Sequence, residues 1–291
     1  MTSGKPTVDL ETALLRPILD AISSGIAVPS FAPALLKELL SHPEIAGLGM
    51  NDIAGIEDEQ QKTMAILGEF YAKVAGKIGK TASQLLMKAQ WGYTQPEWFD
   101  HRHHLLDPDE WFTDHWTAPA NLVIEVLPLD GTLLDLCSGD GFYDYHFYRK
   151  RAREILCIDH NPDTYRYACR LHKAPNITYV LGDVLAYSYR EAYYDVVMMR
   201  GAIEHFSREN QQIIFKTALG ALRPGGWFCG DTIAKSDTGQ KHLQAHTYEW
   251  RDEEEMRSEL STVFSYVKTR SLKIRRHTTD YYTYLLWQCQ K

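Results

Sequence analysis

Residues 131–141, GTLLDLCSGDG, constrain this chain more than any other stretch. The apolar run ending in Asp135 has the composition of a strand buried on both faces. The turn after it puts Gly139 and Gly141 where a backbone must bend tightly or approach another group closely. The pattern that follows, from Phe142 to Ala152, predicts a helix whose first N–H groups would face an anion or carboxylate. Strand, glycine turn and helix also occur as a plain connection in α/β proteins, so the turn alone does not define a ligand.

Two later strand-like runs close on acids at one interval. EILCID ends on Asp159 and ITYVLGD on Asp183, each 24 positions after the acid before it. That spacing accommodates a strand, a crossover helix and their turns, and parallel α/β sheets bind ligands at the carboxyl ends of their strands. The reading is one crevice bordered by Asp135, Asp159 and Asp183. A carboxylate after the second strand suits a ribose diol, which offers it two O–H donors, and one after the third suits an exocyclic amine.

With these residues in this order, the chain resembles the class I S-adenosylmethionine-dependent methyltransferases over roughly residues 115–291. DLCSGDG is similar to the family's first motif, with Cys137 where a glycine usually stands. Gly182, Asp183 and Val184 resemble the adenine-binding turn, and YYDVVMMRGAIEHF resembles the fourth strand with its loop. LRPGGWFCGD is similar to the turn and fifth strand, and SYVKTRSLKIRR with TYLLWQC to the pair that closes the sheet. The resemblance implies an α/β fold with a seven-stranded, doubly wound, mostly parallel sheet and an antiparallel final strand, here joined to an N-terminal α-helical bundle. It implies S-adenosylmethionine as cofactor, held by Asp135, Cys137, Ser138, Gly139, Gly141, Asp159, His160, Gly182, Asp183, Val184 and Arg200.

A dinucleotide oxidoreductase is the rival for a glycine turn followed by an acid. Its G-x-G-x-x-G fingerprint fails here, because position 144 is Asp, an anion where a pyrophosphate needs compact neutral backbone. S-adenosylmethionine carries no phosphate and tolerates acids around its loop.

The 291 residues, 44% hydrophobic, suffice for a catalytic core and an added unit. The organisation read from the sequence is a helical cap at 1–90, an aromatic and histidine-rich connector at 91–116 and a cofactor-binding domain at 117–291. A net charge of -7 without a basic block lacks the footprint of a nucleic-acid binder and points to a small-molecule acceptor. The densest basic run, residues 268–276, alternates along a predicted strand and reads as its solvated face. No stretch of 18 apolar residues and no signal-like start occur, so a soluble cytoplasmic protein without a membrane partner is expected. Cys137, Cys157, Cys169, Cys229 and Cys289 form no C-x-x-C pair and read as reduced thiols, mostly in or beside core strands.

In the cap, residues 9–22, 32–40 and 57–89 carry apolar residues at helical spacing. Such a unit covers an active site and touches substrate, or stabilises the core and forms a homodimer; the sequence supports both. The connector holds four tryptophans and four histidines. Trp98, Phe99, His104 and Trp116 are its candidate contacts to cofactor or substrate, and the alternative is an aromatic hinge. Its histidines at 101, 103 and 104 sit too close together for a helix-spaced metal pair.

Methyl transfer requires alignment of nucleophile, methyl carbon and leaving sulfur, and for a hydroxyl acceptor also a base. His205, in the loop after the fourth strand, is the candidate base, its unperturbed imidazole titrating near ~6.5. Asp231, ending the fifth strand, is the second catalytic candidate. Glu204 and His205 also resemble half of the E-x-x-E-H metal motif of ubiquinone-pathway and small-RNA methyltransferases. Gly201 replaces the first acid, and His242 and His246, four apart on one expected helix face, are the residues that would complete it. No metal is assigned. The expected function is O-methylation of a small metabolite or sugar-containing intermediate. The alternatives are metal-assisted or N-methyl transfer and, in another class, a binding or regulatory protein that has lost transfer chemistry.

Overall fold

The computed structural model describes residues 56–91, 113–275 and 281–291. The chain forms two compact units. The first is described through the long helix α1 (Glu59–Trp91), along which Ile66, Phe70 and Val74, four apart, form one buried stripe. The helices expected at 9–22 and 32–40, and Trp98, Phe99 and His104 of the connector, lie outside the described residues.

The second unit is described from α2 (Thr113–Val126) onward and contains one sheet. Its strands are β1 (Gly131–Leu136), β2 (Ala152–Asp159), β3 (Ile177–Leu181), β4 (Tyr194–Arg200), β5 (Leu222–Ile233), β6 (Tyr266–Arg275) and β7 (Tyr281–Gln290). They lie in the order β3-β2-β1-β4-β5-β7-β6, with β7 antiparallel to both its neighbours. The order reverses between β1 and β4, the switch point at which open α/β sheets bind ligands. This is the class I methyltransferase sheet implied by the motif order.

All six residues of β1 are buried, as expected for a central parallel strand covered on both faces. Alternation divides the core. Leu134, Leu136, Val197 and Met199 pack with Phe215 of α4 (Arg208–Ala221) and Met256 of α5 (Glu253–Leu260) on one face. Leu133, Val196, Met198 and Cys229 pack with Val123 and Leu127 on the α2 face. Helix starts follow the local chemistry. Asn161 caps α3 (Pro162–Leu171), accepting from the Asp163 and Thr164 amides with Pro162 in the first turn, and Ser207 and Asp252 cap α4 and α5.

The helix expected over 142–152 is shorter than its pattern. Phe142 and Tyr143 lead into a π-helical turn, Asp144–Tyr148, in which the Arg149 amide reaches back to Asp144 O. This wider turn seats Tyr143, Asp144 and Tyr148 against the sheet, and residues 149–151 turn the chain so that β2 starts at Ala152.

Candidate functional site

The ends of β1, β2 and β3 are sewn together by backbone bonds. The amides of Cys137 and Ser138 donate to Ile158 O, and the Gly182 amide donates to Asp159 O. Asp159 Oδ2 accepts the Gly139 amide at 2.9 Å, while Oδ1 accepts the Asn161 amide and the Thr164 hydroxyl. A carboxylate has about four lone-pair positions. Three are in use, which leaves one on Oδ2 for a hydroxyl donor. Thr164, which the sequence reading missed, is legible as the third residue after the Asn161–Pro162 helix start. Asp183, exposed after β3, accepts the Leu185 amide on Oδ1 at 2.9 Å, with buried Val184 beside it.

The turn residues fit a close ligand. Cys137 has φ 63, the left-handed conformation that favours glycine, so it sits in this turn at the cost of strain. Its thiol is held above the usual range by burial and by the Asp159 and Asp135 charges, and so stays neutral. Gly139 has φ 58, and a Cβ there would meet no atom within 4 Å. The opening beside it is a cradle that a side chain would fill. The amides expected to face an anion are spent internally, Gly139 on Asp159 and Phe142 on Asp140. The turn therefore suits a cofactor without phosphate. His160 is exposed in the next turn.

Asp135 does not border open space. It is buried on the α2 face beside Asp144 and Cys157, their ligand atoms within 4.8 Å of one another. Burial raises both carboxyls, and Asp144 raises Asp135 further. Burial also raises the Cys157 thiol. A proton shared between two enclosed acids explains this group.

Arg200, at the end of β4, stacks 3.6 Å over the Tyr143 ring and donates from Nε to Asp231 Oδ1 at 3.0 Å. Tyr284 of β7 donates to the other Asp231 oxygen. Burial raises the Asp231 carboxyl, and Arg200 opposes that shift. The Asp231 carboxylate is therefore committed to anchoring Arg200 and Tyr284, unlike a base open to substrate. Sequence spacing alone gave no signal of that three-strand link.

After β4, a single helical turn, Ile203–His205, presents Glu204 and His205. Glu204 is buried, its carboxyl pushed up to about 8 by burial, and its Oε2 has no hydrogen-bond partner. The half-buried His205 ring stands edge-on to His246, centroids 4.8 Å apart. Glu204, His205 and His246 bring three ligand atoms within 4.8 Å. The helix expected to align His242 with His246 is absent. Residues 241–250 are turns and extended chain, His242 packs against Tyr282, and the Thr247 and Tyr248 amides dock on Glu204 O. Glu249, wholly buried, takes the amides of His242 and Leu243 and lies 2.5 Å from His246 Nδ1, an arrangement that orients a histidine.

Among solved structures, similarity extends to a chain of the complex between the Haloferax volcanii Trm112 methyltransferase activator and its methyltransferase. Identity is 16%, coverage 63% of this chain and 93% of that one, and the TM-score 0.52. The Haemonchus contortus phosphoethanolamine N-methyltransferase 2 with S-adenosylmethionine matches at 14% identity over 60% of this chain, with TM-score 0.52, and the match spans about half of that enzyme, 52%. The Burkholderia thailandensis 1,6-didemethyltoxoflavin-N1-methyltransferase matches at 20% identity over 63% of this chain and 81% of that one, TM-score 0.50. At such identities the likeness is one of fold. No curated protein matches by sequence. Residues 133–226 match the family described as a methyltransferase domain. That match runs from β1 into the first residues of β5, and with the strand order completed by the reversed β7 the second unit has the class I, Rossmann-like methyltransferase fold.

Proposed function

We propose that this protein methylates an oxygen of a small metabolite or sugar-containing intermediate, with His205 as general base. The observation that carries the reading is the half-buried His205 on the turn after β4, at the same sheet edge as the Gly139–Asp159 cradle. When bound, S-adenosylmethionine supplies a methyl group on a positively charged sulfur, already a strong electrophile. Asp159 and Asp183 would hold the ribose and adenine ends, and Gly139 would leave room beside them. His205 would take the proton of the acceptor hydroxyl. The acceptor class and His205 are tested together by transfer of labelled methyl to a panel of phenols, sugars and amines, with wild type and His205→Ala. Product on hydroxyls that vanishes in the variant is the expected result. Cofactor binding without product from any class favours a binding or regulatory protein.

A second reading is metal-assisted transfer. It is favoured by Glu204, His205 and His246 meeting within 4.8 Å with Glu249 behind His246. These residues would hold a divalent cation that polarises the acceptor oxygen. The domain limits read from the sequence and a homodimer through the cap belong to the same proposal. No helix among the described residues is long and apolar enough to cross a membrane.

A further inference from the structure

Two adjoining cavities open at the carboxyl end of β5. The larger, about 660 Å³, is bounded by the 235–239 turn, the start of α5, Ser271 and Thr283. The smaller, about 140 Å³, shares Lys235, Ser236, Asp237 and Thr283 and adds Lys273, Tyr281 and Tyr282. Because β7 runs antiparallel to β5 and β6, its first residues meet the last residues of both, on the edge that carries the turns after β1 and β4. The larger volume is that of an ordinary small-molecule site.

The charges divide unevenly between the two. In the larger cavity the acids and bases are mostly spent on one another. Glu253 pairs with Arg257, Arg251 lies against Asp252 and Glu255, and Asp252 caps α5. The smaller is lined by Lys235 and Lys273 with one acid, Asp237, although the Lys235 charge is also felt by Glu255 outside the lining. Their placement follows from the fold. Thr269, Ser271 and Lys273 alternate onto one face of β6. Arg257 of α5 reaches Thr269, and Lys273, four residues on, lines the cavity. Lys235 lies 5.2 Å from the centre of the Tyr248 ring. The Tyr248 amide donates to Glu204 O, so the lysine's wall is continuous with the loop that bears His205. A cationic lobe in a chain of net charge -7 is not the average character of its surface.

We propose that this lobe binds an anionic group of the methyl acceptor, a phosphate or a carboxylate, through Lys235 and Lys273, while the larger cavity takes the rest of the molecule. The proposal rests on the methyltransferase reading and adds the acceptor's charge to it. It also gives the basic run of β6, read from sequence as a solvated face, a task at Lys273.

The test is calorimetric titration of phenyl phosphate, benzoate and benzyl alcohol into the full chain saturated with S-adenosylhomocysteine. Lys235→Met and Lys273→Met are compared with wild type and with Lys268→Met, which lies on the same strand but outside the cavity. At least one anion binds, benzyl alcohol does not, and each cavity variant weakens the anion about tenfold while Lys268→Met does not. Stronger binding of phenyl phosphate names a phosphate ester, and stronger benzoate a carboxylic acid. Equal binding of the neutral alcohol, no anion binding, or anion affinity untouched in both cavity variants overturns the proposal. Failure of wild type to bind S-adenosylhomocysteine at all would instead overturn the methyltransferase reading.

Discussion

The Gly139 amide donates to Asp159 Oδ2 at 2.9 Å, tying the turn after β1 to the end of β2. One carboxylate thus shapes the glycine turn and offers its remaining lone pair to a hydroxyl. Asp159→Ala removes both and is expected to weaken S-adenosylmethionine binding by ~2–4 kcal/mol. Calorimetry checks this, and an unchanged Kd would remove Asp159 from the cofactor site. Asp183→Asn should weaken binding less, because an acceptor persists beside new donors that oppose the amine.

Cys137 at φ 63 carries a left-handed penalty of about 1–2 kcal/mol, whereas glycine would carry little there. Cys137→Gly is expected to raise stability by about 1 kcal/mol, after allowing for glycine's looser unfolded chain. The reverse holds at Gly141, where a Cβ would overlap the Tyr179 ring, so Gly141→Ala lowers Tm. Thermal melts of the two variants should move in opposite directions.

If His205 is the base, His205→Ala lowers kcat by about 10² to 10⁴ and leaves S-adenosylmethionine affinity nearly intact, because a base acts in the transition state. Chelation separates the two oxygen-activating schemes. EDTA that abolishes turnover, with Mg²⁺ restoring it, favours the Glu204, His205 and His246 cation; indifference to EDTA favours the base. Full turnover in His205→Ala together with indifference to EDTA would exclude both.

Burial pushes the Asp144 carboxyl up to about 6, while the hydrogen bond from Asp135, itself held neutral by burial, works the other way. A group raised on folding adds stability that is complete below its unfolded value near ~4 and is lost as pH rises through about 6. Asp144→Asn stays neutral throughout. Relative to wild type, it should gain on the order of 2 kcal/mol between pH 4 and pH 8. Denaturant unfolding at the two pH values reads this directly; a constant difference would show that Asp144 does not titrate on its own in the core.

Periodicity and acid spacing made the sheet legible, because strands buried on both faces must be apolar and the acids mark where they end. Asp159 ends β2 with one lone pair left on Oδ2, and Asp183 follows β3 with only Oδ1 engaged by the backbone. Asp135 and Asp231 have the same local signature at strand ends, yet their oxygens turn to Asp144 and to Arg200 with Tyr284. Those partners lie on other strands or the π turn, and side-chain pairing across a sheet leaves no mark on local spacing. The loop from 241 to 250 departs from the expected helix for a related reason. A four-residue histidine interval mimics a helix face, whereas this segment is held by amides docking on Glu204 and Glu249.

The position of β7 bears on how the polypeptide is made. β6 lies at the sheet edge, and its ladder partner is β7, a segment synthesised after it. Until residues 281–290 emerge, β6 has no neighbour, and its backbone groups are open to strands of other nascent chains. Arg270, Lys268 and Lys273 along that strand supply the charge that discourages such pairing while the ribosome finishes the chain.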